Sequence, residues 1–291
     1  MDATPAPSLV IETGDALADP GSVAGDVAGG CILVPILTST GPTVADQLRV
    51  AASLSRASNA PLCVVDPSEE TPMEYDPDLP ADAERELVTR AARSRYRPHQ
   101  LGLLRTRTLL NGILSTIRDN DVETLVVPSS TRSGSLRRNL AEHLGLRAAC
   151  DVVTINGRRS DDDIQSILLA VTGGPHSSAA AGVARQIAAD HDAWVDVLHV
   201  VSPDATERQR QRATEHVGRA ADRIGRPERT STWVLEAADV AGAIIEQSEY
   251  YGLTVLGAPT KGRLRELIIG STSRTVRHSA HSPVISVRTD G

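Results

Sequence analysis

The sequence predicts an α/β protein with two tandem domains, each a five-stranded parallel sheet with helices on both faces. Short, continuous apolar runs alternate with longer amphipathic patterns, which is typical of parallel strands that are buried on both sides. The order of elements repeats once along the chain, and a polar stretch, Asn156–Asp163, separates the two copies. We therefore predict a lead-in over residues 1–30 and domains over 31–157 and 164–291.

The first half is defined by apolar runs that are separated by helical periodicity. Its lead-in is rich in Ala, Gly, Pro and Asp, and we expect it to be flexible. The predicted elements are a strand at Cys31–Leu37, a helix at Val44–Ala57, a strand at Leu62–Val65, a helix at Ala81–Ser94, a strand at Leu101–Thr106, a helix at Leu109–Asp119 and strands at Thr124–Val127 and Val152–Ile155.

The second half repeats this order, and its first two strands follow those of the first half at one constant separation. The predicted elements are a strand at Gln165–Val171, a helix at Ala179–Ala189, a strand at Val197–Val200, a helix at Ala205–Ile224, a strand at Thr230–Leu235, a helix at Val240–Tyr250 and strands at Leu253–Leu256 and Val284–Val287.

Composition excludes several classes of function. The 291 residues include two Trp, four Tyr and no Phe, and the net charge is −7, so neither aromatic stacking platforms nor a basic face favours nucleic-acid binding. The three cysteines are widely spaced and are interpreted as buried hydrophobes. No apolar run has the length of a membrane span, and the N-terminus lacks a signal-peptide pattern. We therefore expect a cytoplasmic protein. We expect no metal site, since His278 and His281 have no nearby carboxylates. We also expect no catalytic residues, since the spacing supports no Ser-His-Asp or Cys-His arrangement.

A glycine- and hydroxyl-rich segment near the C-terminus predicts a binding site. Gly257 ends an apolar strand, and Gly270-Ser271-Thr272-Ser273 precedes a helical pattern. Glycine lets backbone approach a phosphate, a helix N-terminus offers free N–H groups, and serine hydroxyls add donors. The alternative is that both glycines serve only as a strand exit and a helix-start turn.

The segment resembles the universal stress protein family, in which the pattern G-x2-G-x9-G-[ST] follows the fourth strand and some members bind ATP. Gly257, Gly270 and Ser271 match the pattern, whereas Thr260 replaces the middle glycine and Gly262 lies two residues later. At fold level the resemblance covers about residues 31–288. It implies tandem Rossmann-like domains, of the adenine nucleotide alpha hydrolase-like type.

The resemblance also implies a nucleotide position in the second half only. It places the base against Val200, the ribose near Val171 and Thr172, and the phosphates on Gly257, Gly270, Ser271 and Ser273, with Thr272 between the two serines. Nucleotide-binding members usually carry Asp at the position of Thr172. The first half lacks the corresponding glycine-hydroxyl cluster, so we interpret it as a structural or regulatory partner.

The resemblance leaves three functions open. The first is a non-catalytic protein that binds or senses ATP in the stress response. The second is a ligand-free regulatory module that acts on a membrane transporter. The third is an ATP pyrophosphatase-type enzyme, suggested by the turn Thr172-Gly173-Gly174-Pro175-His176-Ser177. The family pairs domains through their last strands, which implies that Val152–Ile155 and Val284–Val287 dock within the chain, with a further homodimer as a possibility.

Overall fold

In the computed structural model, the chain forms two compact units, Met1–Val152 and Val153–Gly291. It describes residues 30–35, 41–60, 62–65, 109–119, 121–129, 144, 147–157, 164–258 and 271–290. None of the described helices is long and apolar enough to cross a membrane.

The first unit contains a three-stranded parallel arrangement in its described part. Strand β1 lies between β2 and β3 and runs parallel to both. Leu33, Ile113, Leu125 and Leu144 are among the fully buried side chains of its core. The elements are β1 (Cys31–Pro35), α1 (Gly41–Ser58), β2 (Leu62–Val65), α2 (Leu109–Asp119) and β3 (Val122–Pro128), and β4 (Asp151–Asn156) crosses the boundary between the units.

The second unit has five strands in the order β9-β8-β5-β6-β7, and all neighbours in this order are parallel. The elements are β5 (Ser166–Ala170), α3 (Pro175–His191), β6 (Trp194–Val201), α4 (Glu207–Ile224), β7 (Thr230–Glu236), α5 (Val240–Gln247), β8 (Leu253–Gly257), α6 (Ser271–Ser279) and β9 (Val284–Arg288).

The two faces of this sheet are covered by different helices. On one face, Leu168, Ala170 and Leu198 form an apolar cluster with Ile244 of α5 and Val276 of α6. Helices α3 and α4 contact each other and the sheet on the other side. This α/β layering follows from continuous apolar strands, because such strands must bury both faces.

The predicted elements that fall within the described residues are present, with shifted ends. Helix α3 begins at Pro175 rather than Ala179, because proline is well tolerated in the first helical turn. The helix predicted at Val240–Tyr250 is α-helical only to Gln247 and continues as a 3₁₀ turn, Ser248–Tyr250. Asn156, assigned to the linker from the sequence, is the last residue of β4.

Several predictions lie outside the described residues. They are the lead-in over residues 1–29, the helix at Ala81–Ser94 and the strand at Leu101–Thr106. The five-stranded sheet of the first half and the docking of Val152–Ile155 against Val284–Val287 therefore stay predictions.

Candidate functional site

The strand order of the second unit creates a crevice at the carboxyl ends of β5 and β8. The chain runs from β5 outward to β6 and β7, and then returns to the other side of β5 for β8 and β9. Ligands of open α/β sheets bind where the strand order reverses in this way. Ala170 pairs with Leu256, so Val171, which follows β5, and Gly257, the last residue of β8, stand at this point. Both were predicted as site residues.

Gly257 has a packing role in addition to its position at the crevice. A Cβ at Gly257 would lie 2.8 Å from the backbone carbon of His176 and 2.8 Å from the nitrogen of Ser177. The first turn of α3 therefore packs directly on the end of β8, and a larger residue would force backbone to move. The need for glycine here is explained without a bound phosphate.

The turn between β5 and α3 depends on two glycines in conformations that other residues rarely adopt. Gly173 and Gly174 have φ angles of 85° and 87°. The Thr172 backbone nitrogen donates to Oγ of Ser177 at 3.2 Å, and this hydroxyl donates to the Gly173 carbonyl at 3.1 Å. The buried Ser177 hydroxyl is thus engaged by the turn itself, whereas the side chain of Thr172 is exposed.

Strands β6 and β7 extend beyond the end of β5 and carry a partly exposed apolar surface, here called the apolar shelf, formed by Val200, Trp233 and Leu235. Ala170, the last residue of β5, pairs with Leu198, while β6 continues through Val200, which pairs with Leu235 of β7. Val200, Trp233 and Leu235 are only partly buried and pack against the cluster under α5 and α6. A half-buried aliphatic and aromatic surface beside a crevice is typical of the lining of small-molecule sites.

The hydroxyl cluster lies at the start of the last helix. Helix α6 begins at Ser271, and Thr272 and Ser273 occupy its first turn with intermediate exposure. The N–H groups of a first turn are without intrahelical partners. Thr260, Gly262 and Gly270, also predicted as site residues, lie outside the described residues.

Two histidines meet near the crevice on the α4 face of the sheet. The ring centroids of His199 on β6 and His216 on α4 are 5.2 Å apart. Burial, with a smaller effect of His216, lowers the pKa of His199 to about 4. Burial also lowers the pKa of His216. The pair is neutral at pH 7 and therefore adds no positive charge for a phosphate.

No metal centre is formed by the described residues, in which no three His, Cys, Asp or Glu side chains are grouped for metal binding. Cys31 and Cys150 are buried and are not in a disulfide. The candidate site is therefore built from strand ends, glycines, hydroxyls and an apolar shelf.

Comparison with known proteins assigns this unit to a family. Residues 163–288 match the model of the universal stress protein family. This segment is a universal stress protein domain. It contains the β5/β8 crevice, the apolar shelf and the start of α6, so the candidate site lies wholly within it.

Individual relatives extend the similarity beyond this domain. A universal stress protein of Mycobacterium tuberculosis is 29% identical over 198 residues, 58% of this chain. The matched part spans 63% of that relative's length. A Pseudomonas aeruginosa structure provisionally named a universal stress protein covers 90% of this chain and 94% of its own, with 17% identity and a TM-score of 0.57. That similarity shows the fold.

A shorter universal stress protein has been solved in complex with cAMP. It is 20% identical to this chain and covers 44% of it and 99% of its own length, with a TM-score of 0.37. The bound cAMP is a finding about that protein.

In the first unit, the corresponding crevice is bridged by a side chain. Nε2 of the fully buried Gln47 donates to the carbonyl oxygens of Pro35 and Val126, at 2.9 and 2.8 Å. Pro35 is the last residue of β1, and Val126 lies two residues before the end of β3. In the universal stress protein domain, the buried face of α3 carries only small side chains in its first turns: Ser177, Ala180 and Ala181.

Sequence reasoning missed His216 and Gln47. His216 occupies a helix whose charged residues dominate the pattern, and nothing in that pattern marks one histidine as facing a strand. Gln47 stood at an apolar position of the α1 periodicity. A polar residue on the buried face of a helix was the one available indication of its bridging role.

Proposed function

We propose that the second unit binds an adenine nucleotide such as ATP and catalyses no reaction on it. In this proposal the protein is a nucleotide-responsive component of a stress response in the cytoplasm. The observation that carries the proposal is the placement of Val171, Thr172 and Gly257 at the reversal of strand order. This is where parallel α/β sheets bind nucleotides.

Each part of the nucleotide has a chemically suitable surface nearby. The base would lie on the shelf formed by Val200 and Leu235, since partly buried apolar side chains favour a planar ring. The phosphates would approach the first turn of α6, where Thr272 and Ser273 stand. Backbone N–H groups and the helix dipole both stabilise an anion at such a turn.

Thr172 limits the chemistry that we assign to the site. It is exposed at the end of β5 and carries a hydroxyl rather than a carboxylate. A hydroxyl can hydrogen-bond a ribose, but it is a poor general base and a weak ligand for a magnesium ion. We therefore assign binding and no catalytic residue.

The test is titration calorimetry with ATP on the purified chain, together with mass spectrometry of small molecules released on denaturation. Val200→Gln should weaken ATP binding because it removes apolar contact with the base. Val234→Gln is the matched control, because Val234 is also partly buried and belongs to the neighbouring strand, but it packs with the separate cluster of Val201, Ala205 and Ala213. Equal effects of the two substitutions would contradict the proposed base position.

A ligand-free regulatory module, acting on a membrane transporter, is the second candidate. The close packing of Gly257 on the backbone of His176 and Ser177 favours it, because this glycine is explained by the fold alone. The absence of both released nucleotide and measurable ATP binding would select this function over the first.

A further inference from the structure

The histidine pair is an unusual contact between two elements of the second unit. The rings of His199 and His216 are tilted by 40°, with their centroids 5.2 Å apart. Nδ1 of each ring is buried, and neither atom has a hydrogen-bond partner. A buried nitrogen without a partner is unfavourable, because burial removes its hydrogen bonds to water and supplies no replacement. The unpaired nitrogens therefore lower the stability of the folded chain, and the contact forms nevertheless.

His216 lies directly over the turn that begins α3. A Cβ placed on Gly173 would lie 2.6 Å from Cε1 and 2.6 Å from Nε2 of His216. The imidazole therefore covers a glycine whose φ angle of 85° only glycine adopts readily. The Gly173 carbonyl accepts a hydrogen bond from Ser177, the residue that ties this turn to α3. Any displacement of the ring removes a contact from this turn.

The charged groups around the pair disfavour its protonation. Burial lowers the pKa of His216, Arg219 and Arg212 lower it further, and Glu215 opposes them. These three residues belong to α4.

Other elements pack against α4 and the pair; one of them, β7, carries Glu236, which is paired with Arg210 at 2.8 Å. On β6, the titratable group that faces His216 is His199. Burial first, and His216 second, lower the pKa of His199 to about 4. At the start of α3, Nδ1 of His176 accepts a hydrogen bond from the Thr289 nitrogen at 3.2 Å and is engaged away from the pair.

We propose that the His199–His216 pair is an acid-operated support for the Gly173–Gly174 turn. With both rings neutral, His216 rests on Gly173 and holds the start of α3 against the end of β8. Protonation places two like charges on rings 5.2 Å apart, beside Arg212 and Arg219. Repulsion then drives His216 toward solvent and loosens the turn. This device goes beyond nucleotide binding and operates whether or not the crevice holds a ligand.

The direction of the pH dependence follows from the two pKa shifts. Both histidines have folded-state pKa values below the ordinary value of 6.5, so the unfolded chain binds protons first as the pH falls. The stability contributed by the neutral pair is fully present above about pH 6.5. It is lost as the pH falls from 6.5 toward 4, which is the window set by His199.

Amide hydrogen exchange across this pH window tests the proposal without any nucleotide. The reporter is the Ser178 amide, which bonds to the Gly174 carbonyl, and the internal reference is the Gly225 amide at the end of α4. After correction for intrinsic exchange, protection of Ser178 should fall by at least about tenfold more than that of Gly225 between pH 7 and 4.5, since each unit of pKa shift corresponds to a factor of ten.

Substitutions separate the proton effect from simple packing. His216→Gln should remove the pH dependence of Ser178 protection while leaving the chain folded at pH 7, and His199→Gln should do the same. His191→Gln is the matched control, since His191 lies at the opposite end of α3; it should keep the full response. An unchanged acid response in both His199→Gln and His216→Gln would overturn the proposal.

The wild-type chain provides an independent check if the substituted chains fold poorly. Nuclear magnetic resonance titration of the histidine Cε1 protons should show two coupled titrations, both below the ordinary histidine range. Independent titration of His199 and His216 near pH 6.5 would also overturn the proposal. Neither readout involves ATP, so failure here is distinguishable from failure of nucleotide binding.

Discussion

Single glycines in the second unit are required for two different physical reasons. Gly173 has a positive φ angle and an imidazole above it, so both conformation and space demand glycine. Gly257 is required by space, because the backbone of α3 lies within 2.8–2.9 Å of where its Cβ would stand. The sequence shows each glycine without showing which reason applies.

Gly257→Ala should lower the free energy of unfolding by about 1–3 kcal/mol, because a new Cβ meets backbone atoms that cannot move independently. The matched control is Gly218→Ala in α4, where an added Cβ meets nothing within 4 Å. That change should stabilise the chain by about 0.4–1 kcal/mol through reduced entropy of the unfolded state. Urea denaturation measures both, and equal effects would contradict the packing argument.

Gln47 is the corresponding residue-scale feature of the first unit. Gln47→Leu should destabilise this unit by about 1–3 kcal/mol, because it removes both donors from the carbonyls of Pro35 and Val126. Gln186→Leu, a half-buried glutamine of α3, serves as the control and should have a much smaller effect. Thermal unfolding followed by circular dichroism checks the difference, and similar losses would argue against a specific bridge.

At the scale of elements, helix ends explain where the predicted boundaries moved. Helix α4 begins with a capping box, in which Gln209 N donates to the Thr206 side chain and Thr206 N donates to Oε1 of Gln209 at 2.7 Å. It ends at Gly225 in the left-handed region. Helix α3 has no side-chain cap and starts after Gly174. The two helices therefore differ in how far their start depends on neighbouring elements.

Thr206→Ala should destabilise the second unit by about 1 kcal/mol, because it removes the side-chain acceptor of the capping box. Thr214→Ala is the control: Thr214 is an exposed threonine in the same helix, and it bonds only back to the carbonyl of Arg210. Replacing it should be neutral or slightly stabilising, since alanine is the better helix former. A larger loss for Thr214→Ala, measured by urea denaturation, would refute the capping assignment.

At the scale of the whole molecule, the described strands β2-β1-β3 of the first unit have the same order as β6-β5-β8 of the second, but their crevices are lined differently. The crevice of the first unit is bridged by Gln47, whereas the α3 residues near the crevice of the second unit are small. The universal stress protein model matches residues 163–288, which lie within the second unit. From this difference we expect one binding unit and one closed unit in each chain.

Nucleotide stoichiometry should therefore be one per chain. Calorimetry with ATP should give a single site, and Thr172→Asp should tighten binding if ATP is the ligand, because a carboxylate adds a hydrogen-bond acceptor for the ribose or base. Thr232→Asp, an exposed threonine of β7, is the control for added charge. Two equivalent sites per chain would contradict the asymmetry.

Within the described residues, the sequence by itself predicted the helices and strands, and it indicated a candidate site in the second unit. Apolar runs such as Leu62–Val65 and helical patterns such as Leu109–Asp119 coincide with β2 and α2, because continuous apolar strands and amphipathic helices each have their own periodicity. The resemblance carried by Gly257, Gly270 and Ser271 indicated the universal stress protein family, and the family match confirms it for residues 163–288.

The tertiary structure alone decided which residues meet across the sheet. His199 and His216 come from a strand and a helix, and Gln47 reaches a carbonyl that lies 79 residues away in the chain. Periodicity reports which face of an element is buried, but it does not report which element covers that face. Contacts between elements depend on strand order and register, and these are fixed only when the whole sheet is assembled.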